Sequence, residues 1–148
     1  MAATARALVA TATAGAPVTF TILGPPATKK TSQRIVRNKR TGRMWVRPSE
    51  RTDDWTASAV AQLRVAFAKW ARGWVGGHGA VDVPVNVRAL IYRARNAGDA
   101  VNFYQAIADA LEAAGVVEND RLIVSWDGSR LLLDRKNPRV ELTLDSPK

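Results

Sequence analysis

The sequence predicts a single α+β domain in which a mixed β-sheet packs against two main helices. Three observations carry this. Two long stretches repeat apolar residues at three- and four-residue steps, several short β-branched runs end on Gly, Pro, Asn or Asp, and 148 residues at 47% apolar content suit one ordinary core.

Residues 1–16 read as a flexible leader, since threonines interrupt their apolar stretch and Arg6 is their one basic residue; a weak export signal is the alternative. The domain then occupies 17–148. VTFTIL at Val18–Leu23 alternates as a strand does and stops at Gly24-Pro25-Pro26. Strand-like pieces around Ile35-Val36 and Met44-Val46 flank the polar turn Asn38–Gly42, which predicts a basic hairpin. Ser49 to Trp74 reads as the longest helix, capped by Ser49 or Thr52. Its stripe of Trp55, Ala59, Leu63, Phe67, Trp70 and Trp74 faces the core, with a base-stacking surface as the sharper alternative.

The glycines between Gly73 and Gly79 predict a mobile connection into a major strand, Val83–Tyr92, where Pro84 is tolerated near the start. Asn96-Ala97-Gly98 turns the chain into a second helix, Asp99–Ala114, that buries Phe103, Ile107, Ala110, Leu111 and Ala114. Leu122–Trp126 and Arg139–Leu144 are the last strands expected.

Composition excludes several chemistries. There is no cysteine, so disulfides and thiolate metal sites are impossible, and the single histidine, His78, lies in a glycine-rich loop. No apolar run approaches the roughly 20 residues that span a bilayer, which points to a cytoplasmic protein. The net charge of +9 is concentrated: Lys29 to Arg51 holds nine basic residues against the single acid Glu50. A block of this density attracts a polyanion, DNA or RNA by default, unless it is simply a solvated loop.

Acids gather around the second helix. Asp99 opens it, Gly115 closes it, and Glu118, Asn119 and Asp120 follow before a strand, an order that can return Asp120 to the end where Asp99 sits. Asp99, Asn102 and Asp109 share a polar flank, but Asp109 stands about 15 Å further along the axis, too far to share a cation with Asp99. Each acid also has an ordinary role. Asp99 suits an N-cap accepting from the N–H of residue 101 or 102, and Asp120 suits a turn.

From Val18 to Leu144 the chain resembles the RusA family of Holliday junction resolvases. VTFTILGPPATKK is similar to that family's opening strand with its Gly-x-Pro and basic residues, and GDAVNFYQAIADALEAAGVVENDRLI to its D-x-D-N-x-x-K-x-x-x-D-x-L helix and acidic loop. The resemblance implies a homodimeric, magnesium-dependent endonuclease of recombination and repair that nicks four-way DNA junctions symmetrically. Position by position, Asp99 becomes the first helix carboxylate and Asp120 the loop carboxylate. Val101 stands where the family has its second aspartate and Gln105 where it has lysine.

Valine cannot ligate a cation, and glutamine brings no charge to a phosphate. Asn102, Glu118 and Asp127 are the candidates to supply further oxygens, and Arg93, Arg95 or Arg121 to supply the lost charge. The expectation is Mg²⁺, replaceable by Mn²⁺, held by Asp99 and Asp120 with Asn102 in the catalytic set. Lys29, Lys30, Arg34, Arg37, Lys39, Arg40, Arg43, Arg93 and Arg95 are expected to contact nucleic acid. Two other readings stay open: a catalytically inactive relative that binds branched DNA, and a general interaction module whose acids are caps and turns.

Overall fold

Nine of the sheet's core side chains fall into three rows that cross three strands. The strands are β1 (Val18–Leu23), β7 (Arg139–Asp145) and β4 (Val85–Arg93), paired antiparallel in the order β1-β7-β4. Register aligns Val18, Leu144 and Val87 in one row, Phe20, Leu142 and Ala89 in the next, and Ile22, Val140 and Ile91 in the third. All nine are buried. Side chains alternate with a period of two along a strand, so this one register sends the whole apolar set to one face.

The computed structural model describes residues 18–28, 33–48, 50–72 and 80–148. The leader, Lys29, Lys30, Ser49 and the glycine-rich connection with Trp74 and His78 lie outside the described residues. Two helices cover the apolar face: α1 (Glu50–Arg72) and α2 (Ala100–Ala113). Trp55, Ala59 and Leu63 of α1 and Phe103, Ile107, Ala110 and Leu111 of α2 join the strand residues in one core, with Phe67 partly buried at its edge. Phe67 meets Phe20 edge-on, with ring centroids 6.3 Å apart. Helical spacing in α1 thus produces packing. The side chain of Trp70 lies outside the described residues.

Side chains tie the helices to the sheet and to each other. Gln62 of α1 donates to the Leu23 carbonyl (3.0 Å) and accepts from the Leu23 N–H (2.8 Å), acting as a strand partner for the outer edge of β1. Arg64 donates to the Ala113 carbonyl at the C-terminal end of α2 (3.2 Å), where a cation also suits the helix dipole.

The inner edge of β4 is paired in two pieces, both parallel to it: β5 (Ile123–Ser125) along Val85-Asn86 and β6 (Arg130–Leu133) along Leu90–Arg93. β6 is absent from the sequence expectations because RLLL is short and bracketed by turn residues. What holds the break between β5 and β6 is polar and distant in sequence. The buried Asn86 accepts from the Asp127 N–H (2.8 Å) and the Ser125 hydroxyl (2.7 Å), and Ser129 accepts from the Ala89 N–H (2.9 Å). Side-chain groups thus take the place of ladder bonds at the Ala89 and Asp127 amides.

Two strand starts and one core assignment differ from expectation. β4 starts at Val85 rather than Val83, just after Pro84, which cannot donate to a ladder. β5 starts at Ile123 because Asp120–Leu122 forms a 3₁₀ turn. Ala114, expected in the core, is half-buried at the helix C-cap.

Candidate functional site

Both expected acids sit at the ends of short backbone paths that the fold fixes tightly. Before α2, Gly98 has φ +94, and a Cβ there would come within 2.7 Å of the Phe103 ring. Glycine alone fits that conformation and that close approach. The turn is clamped by Arg93, whose guanidinium donates to the carbonyls of Ala97 and Gly98 (3.4 Å each) and of Leu132 (3.5 Å). Arg93, expected to contact nucleic acid, is therefore largely engaged in holding the loop that delivers Asp99.

Asp99 is the N-cap residue of α2, yet its carboxylate makes no capping hydrogen bond. Its backbone carbonyl accepts from the N–H groups of Asn102 (3.1 Å) and Phe103 (3.2 Å). The expected side-chain cap is thus corrected: the helix start is closed by the backbone, and an exposed carboxylate is left over.

Beyond α2 the chain reverses through a Schellman turn. Gly115, at φ +74, donates to the Glu112 carbonyl and Val116 to the Leu111 carbonyl, each at 3.0 Å. Val116 and Val117 are then fully buried, and Val81 clips them in place by donating to the Val116 carbonyl and accepting from the Glu118 N–H, each at 2.9 Å. Asn119 caps the 3₁₀ turn by accepting from the Arg121 N–H at 2.9 Å. These anchors bring Asp120 back against α2, where it lines a cleft of about 340 Å³ with Val101, Tyr104, Gln105, Ile123 and Trp126.

That cleft unites three positions the sequence comparison singled out. Asp120, Val101 and Gln105 share it, so the two residues that differ from the pattern the sequence resembles lie beside the loop acid. Val101 is 74% exposed, and Gln105 donates to the Asp109 carboxylate (2.9 Å), one helical turn on. Tyr104 and Trp126, unremarked in the sequence, stack in the same cleft with centroids 4.6 Å apart and planes 7° apart.

A second hollow, of about 90 Å³, lies on the Pro26–Thr28 side of the same helix start, and Arg51, Arg93 and Arg95 contribute to its lining. No acid lines it among the described residues. Arg51 was outside the expected contact set; it is the last cation of the basic block, and only the fold brings it beside Arg93 and Arg95. Further out, β2 (Gln33–Arg37) and β3 (Met44–Pro48) form the expected hairpin. Asn38 organises its turn by accepting from the N–H groups of Arg40 (2.9 Å) and Thr41 (3.2 Å), leaving Arg37, Lys39, Arg40 and Arg43 exposed. The side chain of Arg34 lies outside the described residues.

Other candidates are located elsewhere. Asp127 lines a separate cleft with Arg88, Asp145 and Lys148, because its backbone is captured by Asn86. Glu118 is exposed and does not line the Asp120 cleft, and Asn102 is half-buried in the first turn of α2. Among the described residues, no three acidic or histidine side chains form a group able to hold a metal ion. No helix there is long and apolar enough to cross a membrane. No model of a known protein family matches the chain, and no curated protein matches it.

Proposed function

We propose that the protein is a magnesium-dependent endonuclease for branched DNA, Holliday junctions above all, acting as a homodimer in the cytoplasm. One observation carries the reading: Asp120 shares a cleft with Val101, Tyr104 and Gln105 of the helix that Asp99 opens, and the Asp99 carboxylate, outside the lining of that cleft, is not spent on capping. Two hard oxygen donors beside cationic surfaces suit Mg²⁺, which keeps several waters and binds through one or two carboxylates together with substrate phosphates. Bound there, the ion would supply positive charge at the scissile phosphate and a nucleophilic water at neutral pH.

The chain's own residues have distinct tasks in this reading. Asp99 and Asp120 hold the cation. Asn102, one turn into α2, offers a neutral amide to the same region. Arg51 and Arg95 receive a phosphate in the small hollow, while Arg93 keeps the loop under Asp99 rigid. The hairpin cations follow the backbone without reading bases, so selectivity rests on junction shape. Two cuts related by symmetry call for two copies of this site and hence a two-fold dimer.

Val101 and Gln105 in the Asp120 cleft favour a second reading, a branched-DNA-binding protein that no longer cuts. One experiment separates them. Incubation of a synthetic four-way junction with the full chain and Mg²⁺ should give paired nicks that Asp120→Asn suppresses. A folded, junction-bound protein that stays silent in Mg²⁺ and Mn²⁺, and gains cleavage in Val101→Asp/Gln105→Lys, would establish the second reading instead.

A further inference from the structure

The aromatic cleft beside Asp120 has properties that a phosphate site does not need. Its volume of about 340 Å³ falls in the range of small-molecule sites, its wall is the parallel Tyr104–Trp126 pair, and its rim carries the Asp120 carboxylate and the Gln105 amide. Both rings are partly exposed, so the pair offers a flat π-surface to solvent. Among the described residues, no basic side chain lines the cleft. A cleft whose one charged lining residue among the described residues is a carboxylate does not favour a phosphate, and the arginine-lined hollow across the helix start already meets that need.

We infer that this cleft receives a single unstacked nucleobase, held against the Tyr104–Trp126 pair while the attached backbone runs toward Arg51 and Arg95. Three physical points favour a base over an apolar peptide side chain. A base is planar and stacks on a planar wall; its edge can use the acceptors that Asp120 and Gln105 provide; and the surrounding protein, at +9, attracts the polyanion that carries it. Val101, where the family pattern has an acid, leaves the mouth of the cleft apolar and removes a second negative charge from the path of the strand. The inference rests on the nucleic-acid half of the proposed function and is independent of cleavage.

The test is binding of the full chain, in EDTA, to short oligodeoxycytidylate and to an abasic strand of equal length and charge. The parent should bind the base-bearing strand about tenfold more tightly. Tyr104→Ala and Trp126→Ala should each erase that difference and leave the abasic strand unchanged, with Trp126→Phe retaining most of it. Because Trp126 packs on the core, a second measurement uses the unaltered protein: a 2-aminopurine in the strand should lose fluorescence on binding as it stacks. Equal affinity for the two strands, or an unquenched 2-aminopurine in the bound complex, would overturn the inference. So would ring variants that change self-association and leave the strand difference intact, since the cleft would then hold a second copy of the chain. Because EDTA excludes cleavage, failure here leaves the nuclease test untouched, and a silent nuclease leaves this result standing.

Discussion

Two hollows flank the start of α2, and their linings differ in charge and in shape. Among the described residues, the smaller one gathers guanidinium groups from α1 and from the end of β4 with no acid in its lining, and the larger is lined by one carboxylate and two stacked rings with no cation. Coulomb attraction falls off slowly and needs little shape, so three arginines around about 90 Å³ suit a compact anion. Stacking and cation ligation need defined geometry, and the larger hollow is correspondingly the better anchored, through the Schellman turn, the buried Val116-Val117 pair and the Asn119 cap. A polyanion laid across both would put one phosphate in the arginine-lined hollow and the neighbouring nucleotide beside Asp120 and the stacked rings.

The largest expected separation between the hollows comes from Asp120→Asn. Junction cleavage should fall about 10²–10³-fold while junction affinity, measured by gel shift, holds or rises slightly as a negative charge is lost. Comparable losses in both would mean that Asp120 serves binding rather than chemistry.

Next in size is Gly98→Ala, which disturbs the strut between the hollows. At φ +94 with the Phe103 ring 2.7 Å from the new Cβ, the substitution should cost about 1–3 kcal/mol in urea unfolding. It should also slow cleavage, because the same turn carries Asp99. Unchanged stability would show that the ring swings aside freely.

Arg51→Gln and Arg95→Gln act on the small hollow alone. Each should lower the salt slope of junction binding by about one and weaken linear and branched DNA alike. A loss confined to branched DNA would move shape recognition from the hairpin into this hollow.

The smallest effect belongs to the open face of the sheet. There Arg139 lies over the Tyr92 ring, 3.8 Å from its centroid, and bonds to Asp134 (3.0 Å) and Glu141 (2.8 Å). The backbone N–H of Asn137, then the Arg139 guanidinium, hold the Asp134 carboxyl below the usual carboxylate range. A depressed folded pKa adds stability above the unfolded value, about 3.9, and that stability is lost as pH falls through the folded one. Asp134→Asn should therefore cost a little stability at neutral pH and nothing once the acid is protonated. A difference from the parent that persists in strong acid would contradict this origin.

Local patterns made most of the scaffold legible. VTFTIL gave β1 to the residue, the Asn38–Gly42 turn gave the hairpin, and the apolar stripe of α2 named four of its buried residues correctly. Gly115 as the helix stop was readable for the same reason, since its left-handed conformation is a property of one residue. What escaped notice depends on partners far apart in the chain. β6 exists because β4 offers an edge and Ser129 bridges the break; the Tyr104–Trp126 stack joins a helix to the end of a strand; Arg51 meets Arg93 and Arg95 only after folding. Gln105, read as a missing charge, turned out to bond Asp109, a pairing that i,i+4 spacing could have suggested.

The reading depends above all on Asp99 and Asp120 acting as one unit on a shared cation. The most direct measurement is a double-mutant cycle in the Mg²⁺-dependent cleavage of a synthetic four-way junction, comparing Asp99→Asn, Asp120→Asn and the pair. A shared cation requires that each single change cost nearly as much as both together. Losses that multiply, or a parent that binds the junction and never cuts it, would contradict a common metal site at the start of this helix.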